Sequence, residues 1–438
     1  ASGQAVVLKT DGTVEAITEV AQGVGAESVF EAASSSYNVA TYDPNSNKVV
    51  IVYQDGGNSA AGTAVVGTVS GTSISFGTPS TFGAAALTDF FVTFDSNSDK
   101  VVVVYSDPTN SYYGKCRVGT VSGTSISFGS TVVFKSAYSG YIGSTFDSTN
   151  NRVVISFRDA GNSQYGTAIV GTVSGTSISF GSTVVFETAD TRNTACAFDV
   201  VNNKVVIAYS DAGNSNYGTA IVGTVSGTSI SFGTAVVFNA SATNSTTATY
   251  DSNSNKIVIS YADGGNSYYG TAVVGTVSGT SISFGTAVVF NAAYTSTYTS
   301  ATFDSTANKV VIAYTDTGNS SHGAAIAGTV SGTSISFGAT TVTNAAVTYY
   351  NAATFDSNAG KVVIGYRDAG NSNYGTAVVF TVASTNLSAT TFLGITSEAI
   401  SSGATGAINT YGGINTAQTG LTIASDYYVQ SDGTLSTA

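Results

Sequence analysis

Five-residue runs that are almost wholly apolar recur along the chain: VVIVY, VVVVY, VVISF, VVIAY, IVISY, VVIAY again and VVIGY. Each leads into a polar turn of the form DxGNS or a close variant. The apolar residues are consecutive rather than alternating, so these strands bury both faces, as they do when a small sheet is packed between two others. From Thr297 one stretch reads TYTSATFD, STANK, VVIAYTD, TGNSSHG, AAIAGTVSG and TSISFGATTV. Four runs rich in Val, Ile, Thr, Phe and Tyr are separated by Asp/Asn/Ser/Gly clusters, which predicts a four-stranded antiparallel meander. No segment has helical periodicity of useful length.

The meander repeats. GTVSGTSISFG stands unchanged at 67–77, 119–129, 171–181, 223–233, 275–285 and 328–338. An aspartate after Phe or Tyr marks each copy (Asp43, Asp95, Asp147, Asp199, Asp251, Asp304, Asp356), with steps of 52, 52, 52, 52, 53 and 52 residues. Twelve residues later comes the turn aspartate: Asp55, Asp107, Asp159, Asp211, Asp263, Asp316 and Asp368. Seven four-stranded units of this length predict an all-β, seven-bladed β-propeller. An open β-solenoid is the competing architecture, and the ends of the array argue against it. The seventh copy stops at VVFTVAST (378–385) without its SGTSISFG strand, while VGAESVFEAA (24–33) aligns with FGTAVVFNAA (284–293). The N-terminal segment is therefore expected to supply the missing strand and close a ring.

Three domains follow: an N-terminal β-hairpin arm at 1–23, turning at Asp11 and Gly12, the propeller at 24–383, and a Gly/Thr/Ser-rich β tail at 384–438. The tail's YYVQSDGTLSTA echoes the opening AVVLKTDGTVEAI. Arm and tail are expected to pack together in a small β-domain, within one subunit or between neighbours. The chain opens with ASGQAVV and has no methionine, so a leader, a pro-segment or the ends themselves are expected to lie outside it.

Composition changes the picture little. The chain is 42% hydrophobic and only 9% charged, against a usual charged share of roughly 25%. Its net charge of −12 is largely structural, since 14 of the 20 aspartates occupy the two repeat positions, where Asp accepts backbone hydrogen bonds in turns. The acidity speaks against nucleic acid. No run of about 18 apolar residues occurs, so no membrane insertion is expected. Cys116 and Cys196 stand at alanine positions of different blades and read as small buried residues.

Chemistry is hard to find. DxGNSxYG is distantly similar to the sialidase Asp-box, a fold element, with Tyr in place of its Trp. The five arginines (Arg117, Arg152, Arg158, Arg192, Arg367) form no visible triad, and only Glu187 of six glutamates lies within the regular repeats. The single histidine, His322, replaces a tyrosine seen in other blades, and with two separated cysteines it makes no metal set. No catalytic residue, cofactor or metal is expected.

The repeat varies between the fourth strand of one blade and the first of the next: SSSYN, ALTDFF, AYSGYIG, ADTRNT, SATNST, AYTSTY and AVTYYN. These stretches are expected to be loops on the face of the DxGNS turns. Nine aromatics recur there: Tyr37, Phe90, Phe91, Tyr138, Tyr141, Tyr294, Tyr298, Tyr349 and Tyr350. Such rings can stack on sugars or bury themselves against a partner.

The repeat GTVSGTSISFG, the (F/Y)DSNxNKVVIAYSD strand and the tail TFLGITSEAISSGATGAINTYGGINTAQTGLT together resemble structural or tail-fibre-like proteins of aquatic bacteriophages and environmental bacteria. The resemblance covers nearly the whole chain, implies a surface or particle component, and carries no catalytic residues. The leading expectation is an extracellular, non-enzymatic fibre or virion-type protomer, joined head to tail to copies of itself through residues 1–23 and 384–438. The alternative is a lectin-like propeller that binds surface glycans or a receptor through the variable segments.

Overall fold

The computed structural model describes residues 5–9, 13–84, 86–295, 298–385, 387, 392–397, 399–401, 404–410, 427–430 and 434–436. The chain forms two compact units, Val24–Phe380 and a second made from both chain ends, Ala1–Gly23 with Thr381–Ala438.

In the larger unit seven antiparallel meanders succeed one another, and the innermost strand of each neighbours the innermost strand of the next. The last of these, Thr341–Asp356, neighbours the first, Ser28–Asp43, so the array is a closed ring. Blade four shows why the sequence folds this way. Its second strand, Lys204–Asp211, sends Val205, Ile207 and Tyr209 into one apolar layer with Val154 and Val170 of the preceding blade. Val206 and Ala208 enter the opposite layer with Ile257, Ile259 and Tyr261 of the following blade. All five residues of VVIAY are 0% exposed. Burying each large apolar side chain contributes about 1.5–3 kcal/mol, and here Val205, Val206, Ile207 and Tyr209 are all so buried. The consecutive apolar run is thus a strand with two dry faces.

The fourth strand is a composite. In blade four, Ser229–Phe232 pairs with one half of the third strand (Gly223↔Phe232), and the start of the next long strand pairs with the other half (Ala220↔Val236). Gly233 lies between the two pieces. A Cβ there would stand 1.8 Å from the carbonyl oxygen of Thr280 in the next blade's turn, and Gly77, Gly129, Gly181 and Gly285 meet Thr124, Thr176, Thr228 and Thr333 at 1.8–1.9 Å. The last glycine of SISFG is therefore where one blade's backbone touches the next.

Closure uses the same contact. Ser28, Val29, Glu31 and Ser34 pair with Ala377, Thr376, Gly375 and Tyr374 of the seventh blade, and the Gly25 N–H donates to the Val379 carbonyl at 2.9 Å. Gly25 stands where Gly77 stands in blade one, with Thr72 O 1.7 Å from a would-be Cβ. Phe380 also becomes intelligible. In the other blades this position is a glycine pressed against the Ile and Phe of SISF, and in blade seven, which lacks SISF, a fully buried phenylalanine replaces it.

One expectation needs correction. The variable stretches are not loops in most blades: 16-residue strands run through them at Ser28–Asp43, Val132–Asp147, Val184–Asp199, Val236–Asp251 and Thr341–Asp356. The chain leaves one blade's outer edge and enters the next blade's inner strand without losing extended geometry. It still lies beside the DxGNS turns, since Ser139 N–H donates to Tyr112 O at 3.1 Å and Thr243 N–H to Asn216 O at 3.0 Å.

In the second unit the two ends of the chain share one sheet. Val6, Val7 and Leu8 pair with Ala16, Glu15 and Val14, and Ala5 and Val6 pair on the other side with Ile395 and Gly394. Ala5, Val7 and Ile17 are buried, with Leu387, Ile395 and Val429 packed on them. The echo between opening and tail is structural: Lys9 N–H donates to Thr13 O and Gln430 N–H to Thr434 O, both at 2.8 Å. The hairpin tip at Asp11 and Gly12 lies outside the described residues. Among those described, no helix is long and apolar enough to cross a membrane.

The identical SISFG segments should not tolerate change equally. Among the described residues Gly338 has no next-blade turn against it, and its would-be Cβ meets only Ala327 O at 3.7 Å. Gly285→Ala is expected to cost roughly 1–3 kcal/mol through overpacking, and Gly338→Ala to stay within about 0.5 kcal/mol of the parent. Chemical unfolding of the two variants side by side checks this, and equal losses would refute the blade-contact account.

Candidate functional site at the channel mouth

Six residues before each inner-strand aspartate lies one residue that reaches the axis of the ring: Tyr37, Asp89, Tyr141, Asn193, Ser245, Tyr298 and Tyr350. All seven line a single cavity of about 230 Å³ at the mouth of the channel. Local geometry puts them there. The pairing of first and second strands slips at this point in six blades, for instance between Ser36 and Val39, Gly140 and Gly143, and Tyr349 and Ala352. The extra residue of such a bulge is turned out of the ladder. Tyr37, Asp89, Tyr141, Asn193, Ser245 and Tyr350 accordingly have φ of 50–55°, a region uncommon for any residue with a side chain and a genuine outlier for a bulky one.

The next residue also lines the cavity in six blades, as a second tier of Asn38, Phe90, Ile142, Thr194, Thr246 and Thr299, and several residues at this position, Asn351 of the seventh blade included, staple the ring. Thr194 Oγ1 donates to Tyr141 O, Thr299 Oγ1 to Ser245 O at 2.8 Å, and Asn351 Nδ2 to Tyr298 O at 3.0 Å. Each bond reaches back to the preceding blade. Asn38 breaks the pattern. It is 5% exposed, lines the cavity, and neither Oδ1 nor Nδ2 has a hydrogen-bond partner among the described residues. Thr246 Oγ1, also in this tier, is likewise unpartnered.

The ring is lopsided. Tyr298 and Tyr350 pack with centroids 4.2 Å apart, and Tyr37 lies 5.3 Å from Tyr350 on its other side. The Arg367 guanidinium sits 4.6 Å from the Tyr349 centroid and 5.4 Å from that of Tyr350. Burial, with Tyr298 beside it, pushes the Tyr350 hydroxyl well above the usual phenol range. Asp89 follows Tyr37 around the ring. Its carboxylate accepts the Tyr141 N–H at 3.1 Å and the Thr88 hydroxyl at 3.1 Å, and burial raises its pKa above that of an ordinary aspartate.

Of the nine aromatics singled out from the sequence, Tyr37, Tyr141, Tyr298 and Tyr350 are in the ring, and Phe90 reaches the cavity wall. Phe90 is nonetheless 5% exposed and packs on Phe82 and Tyr105. Tyr138 and Tyr294 lie outside the cavity lining, against Tyr112 and Tyr268, and Tyr349 lies under Arg367. Phe91 does not belong to the face: it is half-buried in the layer that contains Val104 and Val118, because adjacent strand residues point to opposite sides.

The turn aspartates are occupied by the backbone. Asp55, Asp107, Asp159, Asp211, Asp263, Asp316 and Asp368 each accept the N–H two residues on, at 2.8–3.0 Å. Cys116 and Cys196 are buried free thiols, and burial pushes that of Cys196 up to about 12. Among the described residues no group of three His, Cys, Asp or Glu side chains converges. Asp89, Asn193, Ser245 and Asn38 escape a search for aromatics. The constant offset from the inner-strand aspartate would have found the ring.

No family model matches the chain, and no curated protein sequence matches it. Solved structures do. The BP39L lectin of Burkholderia pseudomallei is similar with a TM-score of 0.60 at 10% identity, over 82% of this chain and 99% of that one. The Cps50 (Swd1) beta-propeller domain of Myceliophteria thermophila is similar with a TM-score of 0.55 at 7% identity, over 83% and 100%. At such identities the likeness shows the fold, a β-propeller.

Two substitutions separate stability from recognition at this mouth. Tyr141→Asn is expected to raise the unfolding midpoint, because asparagine tolerates a backbone region that costs other residues roughly 1–2 kcal/mol. Asn38→Ile, which copies Ile142 of blade three, should stabilise by about 1–3 kcal/mol by removing an unsatisfied buried amide. Denaturant titration measures both, and a loss of stability in either would contradict the geometry.

Proposed function

We propose that the protein is a non-enzymatic carbohydrate-binding propeller, lectin-like, that takes its ligand at the channel mouth. The carrying observation is where the repeat departs from itself. Turns, second strands and SISFG edges are near-copies, while the seven positions around one axial cavity hold tyrosine, aspartate, tyrosine, asparagine, serine and two more tyrosines. Tyrosine offers a sugar ring an apolar face and a hydroxyl together, and amide, hydroxyl and carboxylate groups suit its hydroxyls. The shared fold with a lectin supports this reading.

Hydrolysis is disfavoured by the same residues. Two-carboxylate glycosidases set their acids roughly 5–9.5 Å apart, and Asp89 is the one carboxylate among the described residues lining the cavity. The fibre reading joins copies through the terminal β-segments, which needs strand edges open to a neighbour. The strand Ala5–Leu8 is paired on both sides within a single chain, which weakens that reading. Glycan binding would place the protein on the outside of a cell or particle.

A glycan array probed with the parent chain and with Tyr350→Ala tests the proposal. Tyr350 packs between two other ring tyrosines, so its loss should weaken retained glycans roughly tenfold. An array that stays blank, or a profile that Tyr350→Ala leaves unchanged, counts against it.

A further inference from the structure

We infer that the channel mouth is one axial site per molecule for a ligand that joins a protonated amine to hydroxyl groups, in its simplest form an amino sugar with a free ammonium. This rests on the carbohydrate-binding reading and narrows it.

Stoichiometry comes first. A lectin with one site per blade would need the same side chains at each, and the blades differ most at these ring positions. One cavity shared by all of them makes one composite site. Its volume of about 230 Å³ lies below the roughly 300–1,000 Å³ of pockets for drug-sized ligands, which suits a single sugar ring.

Charge comes next. Asp89 stands in ring order between Tyr37 and Tyr141, and Tyr37 continues into Tyr350 and Tyr298. Tyrosine faces attract cations, and a desolvated cation gains most from them. No lysine or arginine is among the described residues lining the cavity, and Asp89 has no ion-pair partner among the described residues. Two guanidiniums stand against ring tyrosines from outside the cavity lining: Arg158, 5.9 Å from the Tyr141 centroid, is paired with Asp190 at 2.6 Å, and Arg367 lies over Tyr349 and Tyr350. The carboxylate already accepts two hydrogen bonds, and an approaching ammonium would supply the countercharge that its burial calls for. The net charge of −12 draws a cationic ligand in and repels an anionic one.

The hydroxyl groups are read from the second tier. A buried polar side chain without a partner is rare enough in folded proteins to need a reason. Asn38 lines the cavity with its amide oxygen and nitrogen buried and unpartnered among the described residues, and Thr246, on the far side of the ring, lines it with a hydroxyl in the same condition. Sugar hydroxyls, each both donor and acceptor, match that set better than an alkyl ammonium would.

Isothermal titration of the full chain with glucosamine, N-acetylglucosamine and glucuronic acid tests this. Glucosamine should bind at one site, with the neutral and anionic sugars roughly tenfold or more weaker. Asp89→Asn, isosteric and checked by its unfolding midpoint, should remove that preference. Asn193→Asp, which adds a carboxylate to the ring, should tighten glucosamine by roughly threefold or more. Equal affinity for glucosamine and N-acetylglucosamine, several sites per chain, or no response to either variant would overturn the inference and leave carbohydrate binding standing. Failure of all three sugars while an array still captures glycans would do the same. Failure of both titration and array would overturn both.

Discussion

The propeller hangs on a backbone-to-backbone contact repeated at six of its junctions, in which a glycine at the fourth-strand edge of one blade lies against the carbonyl of a threonine in the next blade's turn. At 1.7–1.9 Å from a would-be Cβ no other residue fits without moving one blade away from its neighbour. Because Gly25 makes this contact with Thr72, the N-terminal segment closes the ring by the geometry that Gly77, Gly129, Gly181, Gly233 and Gly285 use at five other junctions. The apolar layers between blades, fed alternately by successive residues of the second strands, then have a fixed spacing to fill. Close packing across them leaves little room for a blade to shift.

That rigidity explains what the sequence made legible. Strand order, blade count and closure could be read because each rests on a feature with one physical meaning: consecutive apolar residues for a strand buried on both faces, DxGNS for a capped turn, a missing SISF balanced by a surplus segment. The alignment of Val24 and Gly25 with Phe284 and Gly285 located the closing strand to the residue. Only the structure gave Phe380 its meaning, as the residue that fills a position held by glycine in the blades where SISF is present.

The site was only partly legible, for three physical reasons. Variability reads as loop when the usual cause of variability is a loop, but here an extended crossover varies because its side chains point to the axis. Chemical type misled as well: Phe91 neighbours Phe90 yet faces an interblade layer, while Asp89 and Asn193 are not aromatic and stand in the ring. Backbone conformation was invisible, since nothing in a tyrosine announces a φ of 50°. Position within the repeat was the better guide than residue type.

The ring tyrosines show how fold and site depend on one another. Tyr37, Tyr141 and Tyr350 adopt a left-handed conformation that costs roughly 1–2 kcal/mol apiece, and Asn38 is buried without a partner among the described residues. Such costs persist only where the surroundings over-determine the geometry, and the apolar layers between blades with a closed circumference supply that determination. Side chains held this way need little reordering when a ligand arrives, which is the condition under which a few aromatic and polar contacts yield useful affinity. The near-identical tiles and the irregular mouth are therefore one arrangement: uniformity in the layers makes local strain at the axis sustainable, and the strained positions are where the chain can differ without disturbing its fold.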